Sequence, residues 1–320
     1  MTRKDQIKTL AADLGYTACG IAGVQPFENY QTALRKLSDR FPDAASLYHD
    51  MEKRINPAAS TPWAKSIVVC IRRYGKYSIP ESIARHIGRN YLCDRRIKDC
   101  PDTSLPKQMK QGLMALGLRV KIGGVPCREA AVRAGVARIG RNGFAYTADG
   151  GSWINIETWL VDAELEPDPP SLPAPCPDGC HACLDACRTS ALTEPYVMNM
   201  NKCVAYLTYG APLPIPKYLW DKMGPWIYGC DDCQTVCPMN QGKWEPQEPT
   251  TWISAVANQL TPESIATMDL STYQKIIHPL FWYIPETDWK RWHQNARRAL
   301  LGMIHFEPKS LQIEGDNHEP

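Results

Sequence analysis

Apolar residues recur at helical spacing near the start of the chain, at Ile7, Leu10, Ala11 and Leu14, and Gly15 then supplies a stop. The helix predicted over 5–16 runs into TACGIAGV, which reads as a strand. Residues 28–54 pattern as one or two polar helices, RINPAASTPWAK as loop, and SIVVCI at 66–71 as a short apolar run suited to a buried strand. Helical character dominates 81–116, with breaks expected at Pro101 and Pro106. LRVKI at 118–122 alternates like a strand, REAAVRAG at 128–135 is a short helix closed by glycine, and WINIETWLVD at 153–162 is a further strand. Helices and strands alternate through residue 165, which predicts an α/β (α+β) N-terminal domain. EPDPPSLPAPCPDG is so rich in proline that it must be a linker or an extended wrap. The segment 251–303 reads as helical, with TPES at 261–264 as a helix start, and 306–320 as a polar, frayed tail. The expected division is 1–165, 166–245 and 246–320.

Composition narrows the function classes. Of 320 residues, 44% are hydrophobic and 22% charged, and the formal net charge is +2, which argues against a broad nucleic-acid or membrane-binding surface. The start has no signal-type apolar stretch and no twin-arginine pair, and no run approaches a membrane span, so a cytoplasmic protein is expected. In a reducing compartment thirteen cysteines need a reason other than a disulfide framework. Five are scattered (Cys19, Cys70, Cys93, Cys100, Cys127), and eight are gathered between 176 and 237.

The gathered cysteines form two motifs. The first is Cys176-x3-Cys180-x2-Cys183-x3-Cys187; the second is Cys230-x2-Cys233-x3-Cys237-Pro238, with Cys203 alone between them. Cys-x2-Cys pairs also build four-thiolate zinc sites, but zinc ribbons use separated pairs. The Cys-x2-Cys-x3-Cys-Pro ending is half of a bacterial two-cluster ferredoxin signature, in which the last cysteine serves the other cluster. That crossing rule assigns Cys176, Cys180, Cys183 and Cys237 to one [4Fe–4S] cluster. It assigns Cys187, Cys203, Cys230 and Cys233 to the other, and none is left over. The first motif departs from the usual pattern in its opening x3 and in Arg188, which stands where proline is common; a cation there would raise the cluster's potential, or else is a solvated surface residue.

A cluster pair is a wire, and residues 1–165 must hold what it feeds. No Gly-x-Gly-x-x-Gly follows a predicted strand and no P-loop is present. Glycine-rich turns at 123–125 and 140–144 either let backbone approach a bulky cofactor or are simply turns. Residues alone stop at an iron–sulfur oxidoreductase with an unidentified second cofactor.

The stretches CHACLDACRTSAL (180–192), NKCVAYLTYG (201–210) and YGCDDCQTVCPMN (228–240) resemble the iron–sulfur region of the epoxyqueuosine reductase family, and more distantly reductive dehalogenases. The likeness extends to LGYTACGIAG, SIVVCI, GRNY at 88–91, VPCREAAVRAGVARIGRNGF at 125–144, GSWINIETWLVD and WKRWHQNARRALL. The resemblance implies an N-terminal domain of cobalamin-binding type, a two-cluster ferredoxin-like domain and a short helical C-terminal segment. It also implies clusters that pass electrons to a base-off cobalamin, and a low-potential donor of ferredoxin or flavodoxin type. Departures accompany it. The family's proposed proton-donating aspartate aligns with Gly123, Asn90 and Leu92 replace residues of a Gly-Arg-Asp-Tyr-His motif, and the C-terminal repeats that grip tRNA are missing or reduced.

The reading that follows is a cobalamin- and [4Fe–4S]-dependent reductase acting on a different small or modified substrate. The alternatives are a reductive activator of a separate corrinoid protein and a true epoxyqueuosine-tRNA reductase; tRNA stays an open partner, a membrane does not. Candidate catalytic residues are Cys127, Glu129 and Tyr91, each also explicable as packing or as a helix-terminal charge. Gly140, Arg141, Asn142 and Gly143 are candidates for contact with the cofactor, Arg141 and Asn142 through corrin amides, or are plain turn residues.

Overall fold

The structure, a computed structural model, describes residues 1–171 and 176–304. Helix α1 (Arg3–Asp13) opens on a reciprocal cap in which Thr2 Oγ1 accepts from the Asp5 N–H at 3.1 Å and the Asp5 carboxylate accepts from the Thr2 N–H at 2.9 Å. Strand β1 (Ala18–Gly23) follows, then α2 (Glu28–Arg40), α3 (Ala45–Glu52) and β2 (Ser66–Arg73). Helix α4 (Leu105–Ala115), β3 (Val120–Ile122), α5 (Cys127–Arg133) and β4 (Ile154–Val161) complete the domain. The strands pair in the order β1-β2-β4-β3, every neighbour antiparallel. The alternation of helices and strands therefore folds as the α+β form of the expected class, without parallel crossovers. Pro101 and Pro106 do not interrupt helices. Each sits in the first turn of its own element, where a missing N–H costs nothing.

Both faces of the sheet are covered. Ile67, Val69, Ile71 and Leu160 pack on Ala130 and Ala131 of α5 and on Leu34 and Tyr48 of α2 and α3. Val68, Cys70, Trp159 and Val161 pack on Ile7 and Ala11 of α1 and on Met109 and Leu113 of α4. Two-sided burial is why β2 reads as an unbroken apolar run, each such side chain contributing roughly 1.5–3 kcal/mol. The proline-rich stretch is pinned as an extended wrap at Asp168, whose carboxylate accepts from Lys4, Lys8 and the Ile21 N–H, each at 2.8 Å. Residues 172–175 and the expected tail at 306–320 lie outside the described residues.

The cysteine region carries short helical turns at Ala182–Asp185 and Asp232–Thr235, one in each motif, with α6 (Val204–Tyr209) between them. In the C-terminal segment α7 (Pro262–Thr267) starts where expected, Thr261 Oγ1 accepting from the Ser264 N–H at 3.3 Å, and α8 (Trp289–Ile304) is the last helix among the described residues. One core joins distant stretches: Tyr74, Tyr77, Ile83, Ile87, Leu92 and Ile97 pack with Trp252, Ile253, Phe281 and Trp292. Among the described residues no helix is long and apolar enough to cross a membrane.

Candidate functional site

The eight clustered cysteines gather in two groups, each drawn from both motifs. Cys176, Cys180 and Cys183 line one cavity together with Cys237. Burial, then the neighbouring Cys237, Cys176 and Cys180, pushes the Cys183 thiol up to about 11. In the second group Cys203 and Cys187 bear on each other and on Cys233, and Cys203 bears on Cys230. Burial is the first cause that pushes the Cys230 and Cys233 thiols well up, and like charge adds to it. Crowded, desolvated thiols of this kind have no favourable ionised state unless positive charge stands among them, so each group fits a metal centre held by thiolates.

Hydrogen-bond donors reach the sulfurs. The Arg141 N–H donates to Cys176 Sγ at 3.5 Å, the Tyr146 hydroxyl to Cys237 Sγ at 3.3 Å, and the Ala191 N–H to Cys187 Sγ at 3.2 Å. The turn at 140–143 is committed to the same region. The Arg141 guanidinium donates to the Cys180 carbonyl, and Asn142 Nδ2 donates to the Tyr146 hydroxyl at 2.8 Å and the Cys233 carbonyl at 3.2 Å. Gly143, at φ 78°, lets the turn close, and a Cβ on Gly140 would stand 2.6 Å from the Tyr146 ring. The turn expected to meet a corrin thus brackets both cysteine groups.

A buried amide network ties the sheet domain to the second motif. Asn240 Oδ1 accepts from the Ser152 N–H at 2.7 Å, and its Nδ2 donates to Ser152 Oγ at 2.8 Å and the Gln234 carbonyl at 2.7 Å. Gly151 precedes it at φ 55°, and a Cβ there would stand 2.3 Å from Asn240 Oδ1. Arg188, expected to be either a tuning cation or a solvated one, is ion-paired across the motifs with Asp232 at 2.8 Å. Arg89 stacks over Trp153 and Trp244 at 5.0 and 4.9 Å while its N–H donates to the buried Asp231 at 2.8 Å. Sequence reasoning missed Tyr146, Ser152, Asn240 and Arg89 as supports, because each acts through a partner far along the chain; only the Gly150–Gly151 pair hinted at a close approach.

The three catalytic candidates fall in two places. Tyr91 packs edge-on against Tyr228, centroids 4.8 Å apart, and beside Tyr209 at 6.0 Å. Burial, then these two phenols, pushes its own phenol well up, so it keeps its proton near the Cys203 group. Cys127 and Glu129 sit on the first turn of α5, below the 123–126 loop. Gly123 has φ 71°, its N–H donates to the Thr158 carbonyl at 2.8 Å, and a Cβ there would meet open space. Burial pushes the Cys127 thiol up. The neighbouring Thr158 hydroxyl, itself buried without an aligned hydrogen-bond partner among the described residues, pulls the other way. Glu129 makes no hydrogen bond or ion pair among the described residues, and burial raises its carboxyl against the pull of Arg128 and Arg133. Thr158 thus bears on Cys127, whereas the half-buried Glu129 stands between the charges of Arg128 and Arg133.

Comparison with known proteins agrees with the cysteine geometry. Residues 176–240 match the family model described as a 4Fe-4S double cluster binding domain, so the region holds two [4Fe–4S] clusters. The epoxyqueuosine reductase of Leadbetterella byssophila is 31% identical over 73% of this chain and 79% of the relative. The fold matches that of epoxyqueuosine reductase from Bacillus subtilis with its aspartate catalytic loop swung out of the active site. That match has a TM-score of 0.73 at 24% identity, over 93% of this chain and 81% of the other. A crystal structure of epoxyqueuosine reductase with an epoxyqueuosine-modified tRNA-Tyr stem loop matches over the same shares with a TM-score of 0.72, also at 24% identity. With that degree of identity to a curated relative over most of the relative's length, the chain belongs to the epoxyqueuosine reductase family.

Proposed function

We propose that this chain is a reductase that passes electrons singly through two [4Fe–4S] clusters to a bound cobalamin, and that its substrate differs from the tRNA of its relatives. In this reading Cys176, Cys180, Cys183 and Cys237 ligate one cluster, and Cys187, Cys203, Cys230 and Cys233 the other. The 123–129 stretch is where the corrinoid would approach: an open glycine turn leads into Cys127 and Glu129, and Glu129 makes no hydrogen bond or ion pair among the described residues. Cobalamin supplies, when bound, a strongly reducing metal centre that carries the bond-breaking chemistry. The chain's own work is positioning and proton supply. Glu129, its carboxyl raised by burial, can hold a proton and release it. Tyr91 is fixed by ring packing and acts as a positioning residue beside the Cys203 group. Arg141 and Asn142 hold the clusters against the sheet domain.

The observation that carries this reading is Gly123. A glycine transfers no proton, so the chemistry that the relatives' aspartate loop performs has no counterpart at that position. The test is anaerobic reconstitution with iron, sulfide and hydroxocobalamin, then desalting, metal analysis and turnover of an epoxyqueuosine-modified stem loop. About eight irons and one cobalt per chain without stem-loop turnover is the expected result. Retention of iron without cobalt would instead favour the activator of a separate corrinoid protein.

A second reading, reduction of epoxyqueuosine-tRNA itself, is favoured by the relatives' shared name and by the tRNA complex among the fold's neighbours. In that case Glu129 or Cys127 supplies the proton in place of the aspartate. Robust stem-loop turnover would establish it and overturn the first.

A further inference from the structure

Away from the clusters, three chemically active side chains stand in one row across the sheet. Cys19 on β1 is the direct cross-strand partner of Cys70 on β2, and Cys70 is the direct partner of Glu157 on β4. Directly paired residues on neighbouring antiparallel strands point to the same face, so the two thiols and the carboxylate face one another in sequence. Their Cα atoms are about 4.5–5.5 Å apart by pairing geometry, inside the span of about 4.4–6.8 Å that a disulfide bridges. Cys19 is half-buried, whereas Cys70 is fully buried, and both are free thiols.

Glu157 is buried and held by two partners. One carboxylate oxygen accepts from the Tyr16 hydroxyl. The other is buried without an aligned hydrogen bond, although Arg95 Nε lies 3.2 Å away. The ionisable groups around it are Tyr16 ahead of β1, Arg72 on β2, and Arg95 and Asp102 from the connection before α4. A buried carboxylate directly opposite a buried thiol can take up that thiol's proton as it attacks a disulfide.

We propose that Cys19 and Cys70 form a reversible disulfide couple in which Cys19 is the outward attacking thiol, Cys70 the resolving thiol and Glu157 the base. Cys19 thiolate attacks a small-molecule disulfide, forming a mixed disulfide and releasing one thiol. Cys70 passes its proton to Glu157 and attacks Cys19 Sγ, expelling the second thiol, which takes up a proton. Two protein thiols and one small disulfide thus become one protein disulfide and two small thiols, so the electron pair leaves with the small molecule. The bond staples the edge strand β1 to β2, and excess small thiol reverses it through Cys19. This couple is independent of the cobalamin reading.

The test uses the reduced, cluster-loaded protein under anaerobic conditions with oxidised glutathione, followed by blocking of free thiols in denaturant and mass spectrometry of tryptic peptides. The peptides spanning 9–35 and 66–72 are expected to appear linked, and to separate again with excess reduced glutathione. Cys70→Ser is expected to stop at a glutathione adduct on Cys19. Glu157→Gln is expected to slow the resolving step at least ~10-fold while leaving adduct formation at Cys19 unchanged. Wild-type protein that accumulates the Cys19 adduct without the link, or that links Cys93 to Cys100 instead, overturns the couple. Linkage at the wild-type rate in folded Glu157→Gln overturns the base.

Discussion

Replacing Cys237 by alanine tests whether each cluster is shared between the motifs. Cys237 belongs to the second motif by sequence, yet it lines the same cavity as Cys176, Cys180 and Cys183. With four thiolates and about four irons per cluster, Cys237→Ala should lose about four of about eight irons. Cys176→Ala, in the other motif, should lose the same four. The decisive comparison is between double variants. Cys176→Ala with Cys237→Ala should lose no more than either alone, because both strike one cluster. Cys237→Ala with Cys230→Ala, two residues of one motif, should lose nearly all the iron. Iron and sulfide would be quantified after anaerobic reconstitution, and electron paramagnetic resonance of the reduced protein would count clusters. If the Cys237/Cys230 double variant keeps as much iron as its singles, each motif builds its own cluster and the shared arrangement is wrong.

Other expectations follow from the same geometry. Tyr146→Phe removes the O–H that donates to Cys237 Sγ; a bond of this kind favours the more electron-rich state by about 1 kcal/mol, so that cluster's potential should fall by about 40 mV in a potentiometric titration. No change would mean that the contact does not reach the cluster. Asn240→Ala strands the buried Ser152 N–H, at about 1–3 kcal/mol, and should lower the urea midpoint and speed iron release together; a midpoint shift worth under about 1 kcal/mol would refute the network's role. Gly123→Asp should fold, because a Cβ meets nothing there and aspartate tolerates the left-handed backbone at about 1 kcal/mol; turnover gained on an epoxyqueuosine stem loop would show that only the acid had been missing. Burial raises the Glu157 carboxyl above its ordinary value of 4.5, so the native state holds that proton more tightly than the unfolded chain. Its contribution is present below pH 4.5 and is lost as pH rises through the raised value, so Glu157→Gln should gain stability relative to wild type over that rise in denaturant titrations; parallel pH curves would refute the assignment.

The cluster cysteines were legible because a cubane fixes the spacing of its ligands within a few residues. SIVVCI was legible because burial on both faces leaves an unbroken apolar run. Pairing was not: nothing local to Cys19, Cys70 or Glu157 says that they share a row, since register is decided by the packing of whole strands. Arg141 and Asn142 were picked out as turn residues with a role, but their partners Cys180 and Cys233 lie far along the chain, so the sequence suggested a ligand where the fold supplies backbone carbonyls. Gly123 was legible only through family resemblance, since an open glycine turn carries no chemical signal of what it lacks.

The core that joins Tyr74–Ile97 with Trp252–Trp292 makes the last helices a clamp on the segment that carries Gly88, Arg89 and Tyr91. A stop codon placed just after Cys237 would leave every cysteine in the transcript and still strip the cover from Ile83, Ile87 and Leu92. Such a truncation should come out of the cell as inclusion bodies rather than as a minimal reductase.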